Sequence, residues 1–241
     1  MSKILLLIIF LWIQDGLYGQ NSIYSLSPAR EVGIFSVGVS FNALGYIQSR
    51  NTSILKVEEI EKLDRNDLDG IDRTATYNYS LKAKNMSDKL LLGSLVLPAT
   101  IMFDPNQRNQ LGEKSTMLAQ TYLINAGTTL LVKSLVRRTR PFVYNENAPL
   151  SEKLKADARM SFFSGHTSFT ASSTFFTASM LTANGQNRNI APIIWSSAAI
   201  LPAVQGYLRW KAGKHFPTDI FIGYMIGAGL GYLIPKIHEG F

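Results

Sequence analysis

Three short stretches of this chain carry side chains able to bind and transfer a tetrahedral anion. In KSLVRRTRP at 133–141, Lys133, Arg137 and Arg140 fall at i, i+4 and i+7, the spacing of one helical face, with Pro141 placed to stop the helix. In SFFSGHTSF at 161–169, Ser164, Gly165 and His166 open an apolar segment. A hydroxyl and free backbone N–H groups at a helix start make an anion site. In RWKAGKHFPTD at 209–219, Arg209 is followed by His215 and then Asp219, and Pro217 is placed to begin the last helix. A carboxylate in that first turn can hold one imidazole nitrogen protonated and leave the other free as a nucleophile.

Each stretch alone has a structural explanation. Cations suit the C-terminal end of a helix dipole, Ser-Gly is an ordinary N-cap, and an Asp beside a His can simply cap a helix. The chain has only 3 histidines, however, and His166 and His215 both fall at such junctions, while His238 lies in the tail and reads as incidental.

The elements that must position these groups read as helices. Apolar segments recur at 32–47, 90–103, 117–136, 166–183, 190–208 and 217–234, without sustained apolar and polar alternation, so the fold class is all-α, a bundle of five or six helices. In an up-and-down bundle the end of 117–136, the start of 166–183 and the turn after 190–208 lie together, which puts the site at one end. Segment 117–136 is long enough to cross a bilayer and 90–103 is marginal, so hydropathy alone leaves membrane spanning open. The polar stretch 48–89 reads as an excursion with a short amphipathic helix, VEEIEKL at 57–63. Its DRNDLDGIDR segment fails as a calcium loop, because the fifth and sixth positions from Asp64 are Leu68 and Asp69, and reads as a solvated capping loop.

The composition bounds the function. Residues 1–19 run from Lys3 through an apolar core to Gly19 and match a secretory signal, so 20–89 forms an N-terminal helix plus excursion and 90–237 the helical core. Cysteine is absent, which excludes disulfides, thiol nucleophiles and thiolate metal sites. The net charge of +7 suits nucleic acid, anionic lipid or a small anionic substrate. Nucleic-acid binding explains the cations but not His215 and Asp219.

Together the three stretches resemble the motifs of the type 2 phosphatidic acid phosphatase and vanadium haloperoxidase superfamily, in its bacterial membrane-associated phosphatase branch. The family pattern is Lys, six residues, Arg-Pro; then Pro-Ser-Gly-His; then Ser-Arg, five residues, His, three residues, Asp. This chain matches every ionic position and departs at Phe163, in place of Pro, and at Leu208, in place of Ser. The resemblance implies that Lys133, Arg140, Ser164, the Gly165 amide and Arg209 bind phosphoryl oxygens. It further implies that His215 forms a phosphohistidine, that Asp219 orients it, and that His166 protonates the leaving group and then assists water. No metal or other cofactor is expected, since several fixed cations supply the charge stabilisation phosphoryl transfer needs.

The expected activity is hydrolysis of a lipid phosphate, a polyprenyl pyrophosphate or a small phosphomonoester at the cell envelope. The active site would face the periplasm from the inner membrane, or the protein would be periplasmic. A vanadate-dependent haloperoxidase with His215 as the vanadate ligand, and a non-catalytic protein binding anionic lipid, are the alternatives.

Overall fold

The structure is a computed structural model that describes residues 23–103 and 108–240; the expected signal segment lies outside them. Among the described residues six long helices dominate: α1 (Pro28–Ser49), α2 (Leu81–Val96), α3 (Leu111–Val136), α4 (Gly165–Thr182), α5 (Ala191–Lys211) and α6 (Pro217–His238). Local chemistry sets their starts. Proline stands in the first turn of α1, α5 and α6, where a missing N–H costs nothing. The Ser80 and Ser164 side chains cap α2 and α4 by accepting the amides of Ala83 and Thr167.

Helix α4 is central, packed against α2, α3, α5 and α6, while α1 lies along α3. Its contact with α6 is close because glycines face serine carbonyls. A Cβ on Gly227 would stand 2.0 Å from the Ser168 oxygen, and one on Gly223 2.5 Å from that of Ser164. Small residues one turn apart let two backbones touch, the usual device where lipid gives helices no hydrophobic reason to associate.

Polarity is distributed accordingly. The interior holds Ser87, Gln120, Thr121, Asn125, Ser168, Ser172, Ser173 and Gln205, all essentially inaccessible, whereas Ile193, Ile200, Phe221, Met225 and Leu233 stand outside, each more than half exposed. Helices α5 and α6 are long and apolar enough to cross a membrane, with mean hydropathy 1.2 and 1.5 and only 22% and 28% of those stretches buried inside the fold. A core helix of a water-soluble protein would be mostly covered. A polar inside and an apolar outside suit a lipid environment.

Two elements differ from the expectation. The segment expected at 90–103 is a helix over Leu81–Val96 followed by 3₁₀ turns over Leu97–Phe103. Its polar first half escapes an apolar-run criterion, yet that half carries Lys84 and Asp88. Helix α3 ends at Val136, with Arg137 left-handed at φ 50°, four residues before Pro141. The chain beyond it folds back, with 3₁₀ turns at Pro141–Tyr144 and Ala156–Arg159. Leu55 from the excursion joins Phe142, Val143, Ala148 and Ala158 in an apolar cluster beside the active end.

Candidate active site

The ends of α3 and α5 and the starts of α4 and α6 meet around one cavity of about 320 Å³, lined by Lys84, Asp88, Lys133, Arg140, Asp157, Gly165, His166, Arg209, Lys214 and His215. Ser164 and Asp219 lie just behind that lining, both fully buried. The structure therefore brings together all eight residues singled out from the sequence, and it leaves Arg137 aside, its Nε donating to the Ser134 carbonyl.

Lys133 projects from the last turn of α3 and donates to the Met160 carbonyl at 2.6 Å. Arg140 is off the helix. Its Nη2 pairs with Asp157 Oδ1 at 2.7 Å, and its Nη1 reaches both the Lys214 carbonyl, at 2.8 Å, and His215 Nε2, at 3.1 Å. Arg209, in the last turn of α5, donates to Ser87 Oγ at 3.1 Å and to Asp88 Oδ1 at 3.3 Å, with its Nε left without a partner. His166 Nε2 stands 2.9 Å from the same Asp88 oxygen.

The His215–Arg140 contact assigns the tautomer. A guanidinium has no acceptor, so Nε2 must accept, and the ring proton belongs on Nδ1. Nδ1 faces Asp219 Oδ2 at 3.6 Å, too far for a hydrogen bond, and has no other partner. Burial, followed by the positive charges of Arg140, Lys133 and Arg209, holds the imidazole well below its ordinary pKa. His215 is thus neutral at neutral pH, with its lone pair directed at a cation that an incoming anion would also bind.

Asp219 is held from several sides. Its Oδ2 accepts from Ser161 Oγ at 2.5 Å and from the Phe216 amide at 3.0 Å, which caps α6, and its Oδ1 accepts from Arg138 at 2.6 Å. Arg138 lies over the Phe216 ring and reaches Asp72 Oδ2 at 2.6 Å, and Asp72 also accepts the Thr218 amide at 3.1 Å. The loop read from sequence as solvated therefore supplies a buried carboxylate, 2% exposed, to the support of the site.

Sequence reasoning assigned no role to Arg138, Asp72, Asp88, Asp157, Ser161, Lys84 or Lys214. Arg138 and Lys214 sit inside the motifs, one of them immediately before His215, where extra cations were the available signal. Ser161 opens the second stretch, and the remaining four belong to segments without a motif. His238, read as incidental, is wholly buried at the opposite end of the bundle, with Nε2 2.8 Å from Glu31 Oε2 and Nδ1 2.7 Å from the Ile234 carbonyl. It ties the end of α6 to the start of α1. Among the described residues no group of three or more metal-ligating side chains is assembled.

Comparison with known proteins adds three findings. The family model of the PAP2 superfamily matches residues 115–241. No curated protein matches the chain. Among solved structures, the crystal structure of the first transmembrane PAP2 type phosphatidylglycerolphosphate phosphatase from Bacillus subtilis is similar at 18% identity and a TM-score of 0.48, over 98% of this chain and 96% of that one.

Proposed function

We propose that this chain, which belongs to the PAP2 superfamily, is a membrane phosphatase that removes a phosphate from a lipid through a phosphohistidine on His215. The observation that carries this reading is the contact of Arg140 Nη1 with His215 Nε2, which turns a neutral imidazole lone pair toward a guanidinium that lines a cationic cavity. Lys133, Arg140, Arg209, the Ser164 hydroxyl and the Gly165 amide hold the non-bridging oxygens, and the bound phosphate draws Arg140 off the imidazole. Nε2 attacks phosphorus, the bond to the bridging oxygen breaks, and that oxygen leaves with the electron pair and takes a proton from His166. Asp219 stabilises the charge that develops on the His215 ring. His166 then accepts a proton from water as it attacks the phosphohistidine, releasing inorganic phosphate and free Nε2.

A lipid substrate is supported by the apolar exterior of α5 and α6 and by an apolar cavity of about 480 Å³. It lies between α5 and α6 and is lined by Ile71, Ala203, Tyr207, Trp210, Ile220 and Phe221. Trp210 of that cavity follows Arg209 in the chain, and Pro217 stands two residues after His215. We place the active end on the extracytoplasmic face.

Phosphate release by the detergent-purified protein from phosphatidic acid, phosphatidylglycerophosphate, a prenyl diphosphate and a soluble phosphomonoester tests the reading. A base-stable, acid-labile phosphoenzyme is expected with the preferred lipid. Turnover without any such species, or turnover retained in His215→Ala, would overturn the mechanism.

A further inference from the structure

The cavity holds more positive charge than one phosphate uses. Lys84, Lys133, Arg140, Arg209 and Lys214 face it against Asp88 and Asp157, five cations to two carboxylates, hence +3 before any proton on the imidazoles is counted. A phosphomonoester at neutral pH carries about −1.5 to −2. The cavity's volume of about 320 Å³ is also roughly ten times the ~30 Å³ share of a water molecule, ample for a group larger than a single phosphoryl tetrahedron.

Of the five cations, Lys133 and Lys214 have no carboxylate partner, and Lys133 is taken up by the Met160 carbonyl, whereas no hydrogen-bond acceptor is assigned to the Lys214 ammonium. Lys214 is 7% exposed, makes no ion pair, and its ammonium rests over the Phe142 ring, 4.1 Å from the centroid. Its backbone is fixed between the two arginines, the carbonyl accepting from Arg140 Nη1 at 2.8 Å and the amide donating to the Arg209 carbonyl at 3.0 Å. The nearer carboxylates are engaged elsewhere, Asp157 with Arg140, Glu152 with Lys155 and Asp88 with Lys84, His166 and Arg209. Burial and the neighbouring Arg140 charge hold the Lys214 ammonium down to about 8. Leaving a cation buried beside two arginines without an anion is costly unless a ligand supplies one.

We infer that Lys214 forms a second anion subsite next to the phosphoryl-binding groups, which selects substrates carrying a second phosphate beside the scissile one. This rests on the phosphatase reading above. The second phosphate can be joined directly, as in a diphosphate ester, or through a short polyol, as in a phosphodiester-bearing lipid phosphate. In either case Lys214 binds the phosphate that stays with the product, and the transfer step at His215 is unchanged. The Lys214 ammonium lies over the Phe142 ring, so the aromatic face helps set where it stands.

Two substrate pairs separate the sources: a prenyl diphosphate against its monophosphate, and phosphatidylglycerophosphate against phosphatidic acid. In at least one pair the wild type should favour the two-phosphate member in kcat/KM by about tenfold or more, the scale of one hydrogen bond to a charged group. Lys214→Met should collapse that preference, and Lys214→Arg should restore most of it. Equal losses on both members of each pair, or no preference in the wild type, would overturn the inference. A binding measurement stands apart from catalysis. Inorganic pyrophosphate should bind the wild-type protein about tenfold or more tighter than inorganic phosphate, by calorimetry or thermal shift, and equal affinities would sink the subsite even if Lys214→Met fails to fold. Absence of hydrolysis on all four substrates with tight pyrophosphate binding would overturn the phosphatase reading and leave the subsite standing.

Discussion

Arg138 Nη1 donates to Asp219 Oδ1 at 2.6 Å, so the carboxylate behind the nucleophile is anchored by a residue to which the motif spacing gives no role. The same guanidinium grips Asp72, and two buried carboxylates thus depend on one cation. Arg138→Gln should cost about 3 kcal/mol of stability, because both acids lose their counter-charge. Turnover should fall while KM changes little. Unfolding curves in detergent alongside kcat and KM check this, and a stable variant with normal kcat would remove Arg138 from the support of the site.

His215→Ala should lower kcat by about four orders of magnitude or more, and Asp219→Asn by about two to four, as for a nucleophile and the group that orients it. Phosphate affinity should survive in Asp219→Asn, since Asp219 lies behind His215 and not in the cavity lining. Single-turnover kinetics with phosphate-binding measurements distinguish the two roles.

The depressed pKa of His215 has a sign that can be checked. The folded state keeps the ring neutral, while the unfolded chain protonates it near the ordinary value of about 6.5. Its contribution to stability is present above that pH and is lost as pH falls toward the folded-state value. The thermal midpoint should drop from pH 7 to pH 5, less so in His215→Gln. The acidic limb of kcat/KM should lie well below 6.5.

Lys214 acts at the other end of the scale. Held at about 8 by burial and by Arg140, it loses its charge as pH rises through that value, with Arg209 opposing the charge and Asp157 and Glu152 favouring it. For a two-phosphate substrate kcat/KM should therefore fall above about pH 8. Lys214→Arg should carry that limb upward, which a pH–rate profile of both proteins would show.

The α4–α6 contact predicts opposite effects from neighbouring glycines. Gly227→Ala puts a carbon 2.0 Å from the Ser168 oxygen and should separate the helices, with loss of thermal stability and of activity. Gly229→Ala meets nothing within 4 Å and should be neutral or stabilising by up to about 1 kcal/mol, the helix propensity gain. Thermal midpoints of the two purified variants decide.

Because the chain has no cysteine, a single Lys155→Cys, at a side chain 59% exposed on the active end, reports topology cleanly. Labelling by a membrane-impermeant maleimide in intact cells is expected. Labelling only after lysis would put the active end in the cytoplasm.

The positions that do the proposed chemistry were readable because each stands at a helix boundary whose punctuation is local: Ser164 as an N-cap, Pro217 opening α6, Lys133 in the last turn of α3. The supposed shared face of Lys133 and Arg140 was not real, since α3 stops at Val136 and Arg140 returns to the site through the fold of the next segment. The first half of α2 was missed because Lys82, Lys84, Asp88 and Lys89 give it no apolar run. That half earns its place by lining a polar cavity.

What the sequence determined by itself was the helical class, the three junctions and the residue types able to hold and attack a phosphate. These depend on caps, prolines and spacings within about two turns of chain. Only the tertiary structure decided that Arg138 and Asp72 hold Asp219, that Asp88 faces His166, that His238 is buried against Glu31, and that Lys214 stands in the cavity without a counter-ion. Those relationships join residues far apart in the chain. The partner of a buried charge is set by which backbones the small residues of α4 and α6 allow to touch, and no local spacing encodes that.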